Sequence, residues 1–292
     1  MPLKNCYICD MKRIIPLFLA LALLASCSKD KPETLTTPMP TTMLEKLSFE
    51  NYKEETTKDK YGFHVFYEEG IDGTRYNVWA SGNKGAALAN ARRKPEKFPT
   101  YASADGYEGY CACMNTQATG TFGKLIGKPI AAGSLFLGNF NMDKAMTDEL
   151  KTTEFGIPVD RQPRKVVGWY KYTPGKTYID RKRREIKDQI DSASVTGVFW
   201  RNEDPSGKKI VLYGDDYHTS PYIVSQGRIA DIPISEEWAR FEMVFDGDEA
   251  DPEILAEWGY SFTVLFSSSR NGGDFEGAVG STFMVDEVEV VF

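Results

Sequence analysis

Three carboxylates lie close together near the end of the chain, in a glycine-rich turn and the strand-like segment after it: Asp274, Glu276 and Asp286. Glycosidases use two such groups, about 5–5.5 Å apart for retention or 6.5–9.5 Å for inversion. The candidates for this pair of carboxylates are Asp274, Glu276, Asp180, Glu68 and Glu69. Their positions in the sequence do not show which two of them would lie close together. A hydrolytic pair is therefore one interpretation that the pattern leaves open.

Three consecutive serines, Ser267–Ser269, precede the same turn. With Asp274 they could line the open end of a groove, where hydroxyls and carboxylates pair with sugar hydroxyls. The glycines of the turn fit equally well with a structural link between two strands. For nucleophilic catalysis the chain offers only His64 and His218 as bases, without a G-x-S-x-G elbow.

Sugar binding is the second chemistry that the residue types support, because a pyranose stacks on an aromatic ring while polar groups contact its hydroxyls. "VWASGN" carries Trp79 and Asn83, and "GWYKY" places Trp169 and Lys171 on one face of a strand. We predict that these four residues contact carbohydrate. Tryptophans on strands also pack in cores, and Trp238 is predicted to be such a core anchor.

Alternating apolar and polar residues predict strands along most of the chain from Leu44 onward. Helical patterns are confined to two short windows, 86–94 and 143–150. Strands with one apolar face pack as two layers. We therefore predict an all-β fold, a jelly-roll β-sandwich of two antiparallel sheets with short peripheral helices, in one domain over residues 44–292.

The charge balance argues against nucleic acid as a partner. The 292 residues include 35 Lys and Arg against 42 Asp and Glu, a net charge of −7, whereas phosphate binding needs a basic face. Cys111 and Cys113 are separated by one residue, which on a strand puts their Cα atoms about 6.5–7 Å apart. We predict two buried thiols that form neither a disulfide nor a zinc site.

The N-terminus reads as a secretory signal peptide over residues 1–26, with Met11 as an alternative start. Its apolar run, 14–25, has 12 residues, fewer than the about 20 that span a bilayer. "LASC" resembles a bacterial lipobox and predicts lipidation of Cys27, although an ordinary signal peptide with a chance cysteine is the alternative. The polar, Pro/Thr-rich residues 27–43 form a flexible tether. This places the protein at the outer membrane, lipid-anchored and exposed at the cell surface.

Five segments in succession carry a family resemblance: "LSFENY", "VWASGN", "IAAGSLFLGNF", "FGIPVDRQPRKVVGWYKYTPG" and "SSSRNGGDFEGAVGSTFMVDEVEV". Over residues 44–292 the chain resembles the putative carbohydrate metabolism domain of Bacteroidetes surface lipoproteins. The resemblance implies a jelly roll like those of carbohydrate-binding modules, a glycan ligand, and other surface lipoproteins as partners.

The resemblance also implies a structural Ca²⁺ shared by an acid after the first strand and an acid within the last one. Glu50 and Asp286 match those positions. Alternation puts Asp286 on one face with Met284, Val288 and Val290, which predicts an inward carboxylate. The alternatives are that Asp286 accepts hydrogen bonds from backbone amides at a bulge, or that it faces solvent.

Together these features predict a surface-anchored lipoprotein that binds glycans and assists carbohydrate uptake or degradation. Two other functions fit the sequence: a glycoside hydrolase, and a structural or adhesive component of a cell-surface assembly.

Overall fold

A computed structural model describes residues 38–56, 62–89, 93–120, 123, 127–144 and 151–292. The predicted signal peptide, Cys27 and most of the predicted tether lie outside the described residues. Within the described part, no helix is long and apolar enough to cross a membrane.

Strands make up most of the described regular structure. In chain order they are β1 (Tyr52–Thr56), β2 (Gly62–Phe66), β3 (Glu68–Glu69), β4 (Arg75–Tyr76), β5 (Trp79–Ala80), β6 (Thr100–Ser103), β7 (Cys111–Asn115), β8 (Gln117–Ala118), β9 (Ile130–Ala131), β10 (Ser134–Phe140), β11 (Thr153–Phe155), β12 (Ile157–Val159), β13 (Lys165–Thr173), β14 (Tyr178–Ile179), β15 (Ser194–Arg201), β16 (Ile223–Ile229), β17 (Ser235–Val244), β18 (Asp246–Gly247), β19 (Tyr260–Ser267), β20 (Gly277–Ala278) and β21 (Thr282–Val291). α-Helix is found in α1 (Asn83–Ala89) and α2 (Pro252–Ala256), and short 3₁₀ turns cover Thr41–Glu45, Pro95–Lys97, Met142–Lys144 and Gly272–Asp274.

Two antiparallel sheets form the body of the fold. The five-stranded sheet has the order β17-β13-β21-β7-β6, and the eight-stranded sheet has the path β11-β10-β19-β15-β16-β18, with β5 and β12 paired beside it. Neighbouring strands are mostly distant in sequence, as crossovers between two layers require. The predicted jelly-roll sandwich with short helices is confirmed.

The main core lies between the two sheets, because each contributes its apolar face. From the five-stranded sheet come Tyr170, Phe241 and Phe283, and from the eight-stranded sheet come Phe199 and Phe262. Burial of this aromatic and aliphatic surface is the dominant favourable term in folding.

A smaller apolar cluster lies on the other face of the eight-stranded sheet. Phe136, Val198 and Trp200 point outward there and are covered by Leu212 from the long connection between β15 and β16. Gly156, with φ +92, lies so close to the Trp200 indole that a Cβ at this position would clash with the ring. The outer face of this sheet is therefore partly covered by its own connection.

A buried carboxyl group lies in the core beside β5. Glu68 accepts a hydrogen bond of 2.8 Å from the indole Nε1 of Trp79. Burial raises the pKa of Glu68 to about 7, and the hydrogen bond from Trp79 opposes that shift only in part. The charged form is thus disfavoured in the folded protein.

This pKa predicts a pH dependence of stability that Glu68→Gln should remove. The folded pKa lies above the unfolded value of 4.5, so the wild-type protein loses stability as pH rises from about 4.5 to about 7. Glutamine keeps an acceptor for Trp79 and does not titrate. Measured by urea denaturation, the stability of the variant relative to wild type should increase by about 3 kcal/mol between pH 4 and pH 8.

Glu69→Gln serves as the control, since Glu69 is exposed and paired with Arg75. If the difference in stability between Glu68→Gln and wild type is the same at pH 4 and pH 8, the Glu68 carboxyl does not cause the pH dependence of stability.

Candidate functional site

Aromatic and charged side chains lie on the outer face of the five-stranded sheet. Trp169 and Lys171 lie together on this face of β13, as the alternation of strand residues predicted. Tyr170 and Tyr172 point the other way, into the core. Trp238, from the neighbouring strand β17, is half-buried on the same outer surface. Trp238 was expected in the core and is not there, because alternation along β17 puts it on the same outer face as Arg240, the cross-strand partner of Trp169.

The loop of residues 104–110, between β6 and β7, folds back over this face; we call it the Tyr107 loop. The Tyr107 ring stacks on Trp169 with ring centres 4.2 Å apart and planes 7° apart. It meets Trp238 edge-on, at 6.2 Å and 79°. Tyr107 remains 44% exposed, so one ring face is presented to solvent. We call Tyr107, Trp169, Trp238 and Lys171 the aromatic patch.

Lys171 brings hydrogen-bonding capacity to the edge of these rings. Its Nζ lies 5.2 Å from the centre of the Trp238 ring and 3.2 Å from Oδ2 of Asp105. Asp105 is exposed, so both a donor and an acceptor lie next to the open aromatic surface. Flat apolar rings with polar groups at their rim are the combination that a sugar ring requires.

A bulge in β21 determines where Asp286 points. One extra residue interrupts the pairing between Val167 and Trp169 of β13, and Glu287 adopts φ 44. Val288 therefore returns to the core, whereas Asp286 pairs with Trp169 on the outer face. The predicted common face of Asp286 and Val288 is wrong for this reason.

Asp286 is nevertheless fully buried, because the Tyr107 loop covers it. Its Oδ2 accepts a hydrogen bond of 3.0 Å from the backbone N–H of Glu108, and its Oδ1 accepts one of 2.8 Å from the N–H of Glu287. Glu50 binds the same loop, since its Oε1 accepts the N–H of Tyr110 at 2.8 Å. Two carboxylates thus fasten the loop that carries Tyr107.

The pKa of Asp286 reflects this position. Burial raises it to about 6, and the hydrogen bonds from backbone N–H groups oppose the rise. The structure matches the alternative in which Asp286 accepts hydrogen bonds from backbone amides at a bulge.

The predicted Ca²⁺ does not fit these two carboxylates. Calcium takes 6–8 oxygen ligands, but Asp286 and Glu50 both face backbone N–H donors, whose positive ends would repel a cation. Across the described residues, no group of three or more His, Cys, Asp or Glu side chains is arranged to hold a metal ion.

Trp79 and Asn83 occupy interior positions, which corrects their predicted role as open contacts. Trp79 is 3% exposed and lies 5.3 Å from Phe49, ring centre to ring centre. The amide of Asn83 is buried and exchanges two hydrogen bonds with the backbone of Thr100, at 2.6 and 3.1 Å. Their partners are remote in sequence, so local patterns could not identify these roles.

The serines before the closing turn are also internal. Ser268 and Ser269 are buried and both hydrogen-bond to Thr116, at 2.8 and 2.7 Å. Ser269 also donates to Asp191, a buried carboxylate that accepts the N–H of Ala278 as well. This network joins the segments that follow β7 and β19 to β20, so these two serines form a structural link and not a groove wall.

Two other acids of the hydrolytic interpretation, Asp180 and Glu276, have separate roles. Asp180 caps its own turn, where backbone and side-chain hydrogen bonds from Arg184 hold its pKa below the ordinary value despite desolvation. Glu276 accepts a long hydrogen bond from the N–H of Arg181. Cys111 and Cys113 are buried free thiols, as predicted.

Fold and surface together define a jelly-roll domain with an exposed aromatic patch. The chain belongs to the putative carbohydrate metabolism domain family, whose model matches residues 48–291.

Two solved structures are similar to this chain. One, from Bacteroides thetaiotaomicron VPI-5482, is 32% identical with a TM-score of 0.76, covering 88% of this chain and 72% of that one. The other, from Bacteroides vulgatus ATCC 8482, is 33% identical with a TM-score of 0.76, covering 87% of this chain and 99% of that one. Both are described as putative glycoside hydrolases. No curated protein matches the chain.

Asp286→Ala should loosen the Tyr107 loop and destabilise the domain. It leaves the N–H groups of Glu108 and Glu287 without their acceptor, at a cost of about 1–3 kcal/mol. Urea denaturation measures this cost, and tryptophan fluorescence reports the loss of stacking on Trp169. Glu289→Ala, an exposed change in the same strand, is the control; equal effects of both substitutions would contradict the anchoring role.

Proposed function

We propose that this domain binds glycans and that the aromatic patch is its contact surface. The observation that carries the proposal is the stack of Tyr107 on Trp169 beside Lys171 and Asp105. The outward face of Tyr107 offers a platform for the C–H face of a pyranose, while the lysine and carboxylate at its rim pair with hydroxyls.

The fastening of the Tyr107 loop supports this proposal on energetic grounds. Binding normally costs free energy when a loop becomes ordered around its ligand. Here Glu108 and Tyr110 of the loop are already hydrogen-bonded to Asp286 and Glu50. The platform is therefore in place before a ligand arrives, and less of the contact energy is lost to ordering.

Glycoside hydrolysis is the second candidate, because the two similar Bacteroides structures are described as putative glycoside hydrolases. Against it, the carboxyls of the described residues whose pKa values are raised into the range of a general acid are Glu68 and Asp286. Both are buried and hydrogen-bonded to protein groups. Binding is thus the function that the geometry supports better.

Display at the cell surface is part of the proposal. The lipobox-like sequence at Cys27 would attach the protein to the outer membrane, and the polar residues 27–43 would separate the domain from the lipid. There it would capture glycans for uptake or degradation, next to other surface lipoproteins. An adhesive role would instead use the same patch to contact a protein.

Tyr107→Ala should weaken glycan binding about tenfold or more, since an aromatic stack contributes about 0.5–1.5 kcal/mol beyond its buried area. A glycan array with the full chain in detergent identifies ligands, and titration calorimetry gives their affinities. Tyr110→Ala is a matched control: this tyrosine lies in the same loop, but its ring packs 5.2 Å from Tyr52. Equal losses in both variants would argue against the patch.

The same binding experiments distinguish the candidate functions. Release of reducing sugar from bound glycans would favour a hydrolase. Absence of any glycan binding, with retention of a surface protein, would favour adhesion.

Cys27→Ala should release the protein from the membrane. Without the thiol there is no attachment point for a lipid, and the described part of the chain has no membrane-spanning helix to replace it. Metabolic labelling with a radioactive fatty acid and fractionation of expressing cells measure the effect. Ser26→Ala leaves the cysteine in place and should still be labelled. Unchanged membrane association and labelling in Cys27→Ala would refute lipidation at this residue.

A further inference from the structure

A polar groove crosses the outer face of the eight-stranded sheet, on the opposite layer from the aromatic patch. It has a volume of about 840 Å³ and runs along β16 between β15, β18 and the turn that precedes β16. Its wall includes Thr196, His218, Gln226, Arg228 and Asp246. Binding sites for small molecules typically measure about 300–1,000 Å³, so a short oligosaccharide would fit.

The direction of Arg228 follows from the strand pairing. Arg228 pairs with Thr196, and Gln226 pairs with Val198, which belongs to the outer cluster. Cross-strand partners point to the same side of a sheet, so Arg228 and Gln226 both face outward. The guanidinium also acts electrostatically on His218 and Tyr217, which places it near the turn at the end of the groove.

Arg228 has no ion-pair partner within the described part of the chain. Among the exposed arginines elsewhere, Arg161 pairs with Glu45 and Arg164 pairs with Glu249. The acid of the groove, Asp246, pairs across strands with Gln226, and no ion pair joins it to Arg228. The groove thus presents an exposed guanidinium that forms no ion pair with a described carboxylate.

The other wall groups suit sugar hydroxyls. Desolvation first, and then the charge of Arg228, hold the pKa of His218 below its ordinary value, so near neutral pH the imidazole is uncharged and can both donate and accept. Thr196 and Gln226 add a hydroxyl and an amide, and Asp246 adds an acceptor. The groove therefore combines several hydroxyl partners with a single unpaired cation.

We propose that this groove is a second saccharide site, specific for an anionic sugar whose carboxylate or sulfate pairs with Arg228. The planar guanidinium forms two parallel hydrogen bonds with either group. The inference rests on the proposed glycan-binding function and adds a substrate class and a second surface to it.

The test uses calorimetric titration of the full chain in detergent with three probes: oligogalacturonate, a sulfated galacto-oligosaccharide and an uncharged galacto-oligosaccharide. Arg228→Gln should weaken binding of the anionic probe about tenfold or more, because a charge-assisted pair is lost. Binding of the uncharged probe should stay within about twofold. Arg228→Lys keeps the positive charge but cannot form two parallel hydrogen bonds. Its affinity for the anionic probe should therefore lie between those of wild type and Arg228→Gln.

Arg161→Gln makes the same change of charge outside the groove and should leave all three affinities unchanged. Preference for oligogalacturonate identifies a carboxylate as the recognised group, and preference for the sulfated probe identifies a sulfate.

Two results would overturn the inference while leaving the proposed function intact. In the first, the wild-type protein binds the uncharged probe but neither anionic probe, and Tyr107→Ala abolishes that binding. The other is anionic binding that Arg228→Gln does not weaken. Anionic binding that is sensitive to Arg228 but not to Tyr107 would support the groove and count against the aromatic patch.

Discussion

A buried carboxylate that accepts backbone N–H groups holds the Tyr107 loop against the five-stranded sheet, and the aromatic patch depends on it. Burial alone would make the charge of Asp286 unfavourable, as its raised pKa of about 6 shows. The N–H groups of Glu108 and Glu287 offset part of that penalty. Without this acceptor the loop would lose its attachment beside Trp169, and Tyr107 would lose its stacking partner.

The two-layer architecture leaves the outer surfaces as the place for the proposed glycan recognition. Both sheets direct their large apolar side chains to the common core, where Phe199, Phe262 and Phe283 are fully buried. Buried polar groups such as Asp191 and Glu68 are held by hydrogen bonds to other protein groups. The outer faces therefore carry the exposed rings and charges, with Tyr107 on one layer and Arg228 on the other.

Strand periodicity predicted the sandwich and the common face of Trp169 and Lys171, because alternation is a property of neighbouring residues. It failed at Asp286, where one extra residue in β21 reverses the alternation. Trp79 was misassigned because its hydrogen bond to Glu68 forms only when the chain folds and is not visible in the residues next to it in sequence. Tyr107 was missed because a loop side chain follows no periodicity, and its position depends on hydrogen bonds to residues far along the chain.

The distribution of titratable groups favours recognition over hydrolysis. A general acid must reach the glycosidic oxygen with its proton, yet Glu68 is directed at the indole of Trp79 and Asp286 at backbone N–H groups. Each has a raised pKa because it is buried, and the same burial keeps it from a ligand at the surface. Asp105, at the rim of the aromatic patch, is exposed and paired with Lys171. It can therefore accept hydrogen bonds from sugar hydroxyls, which is what binding requires.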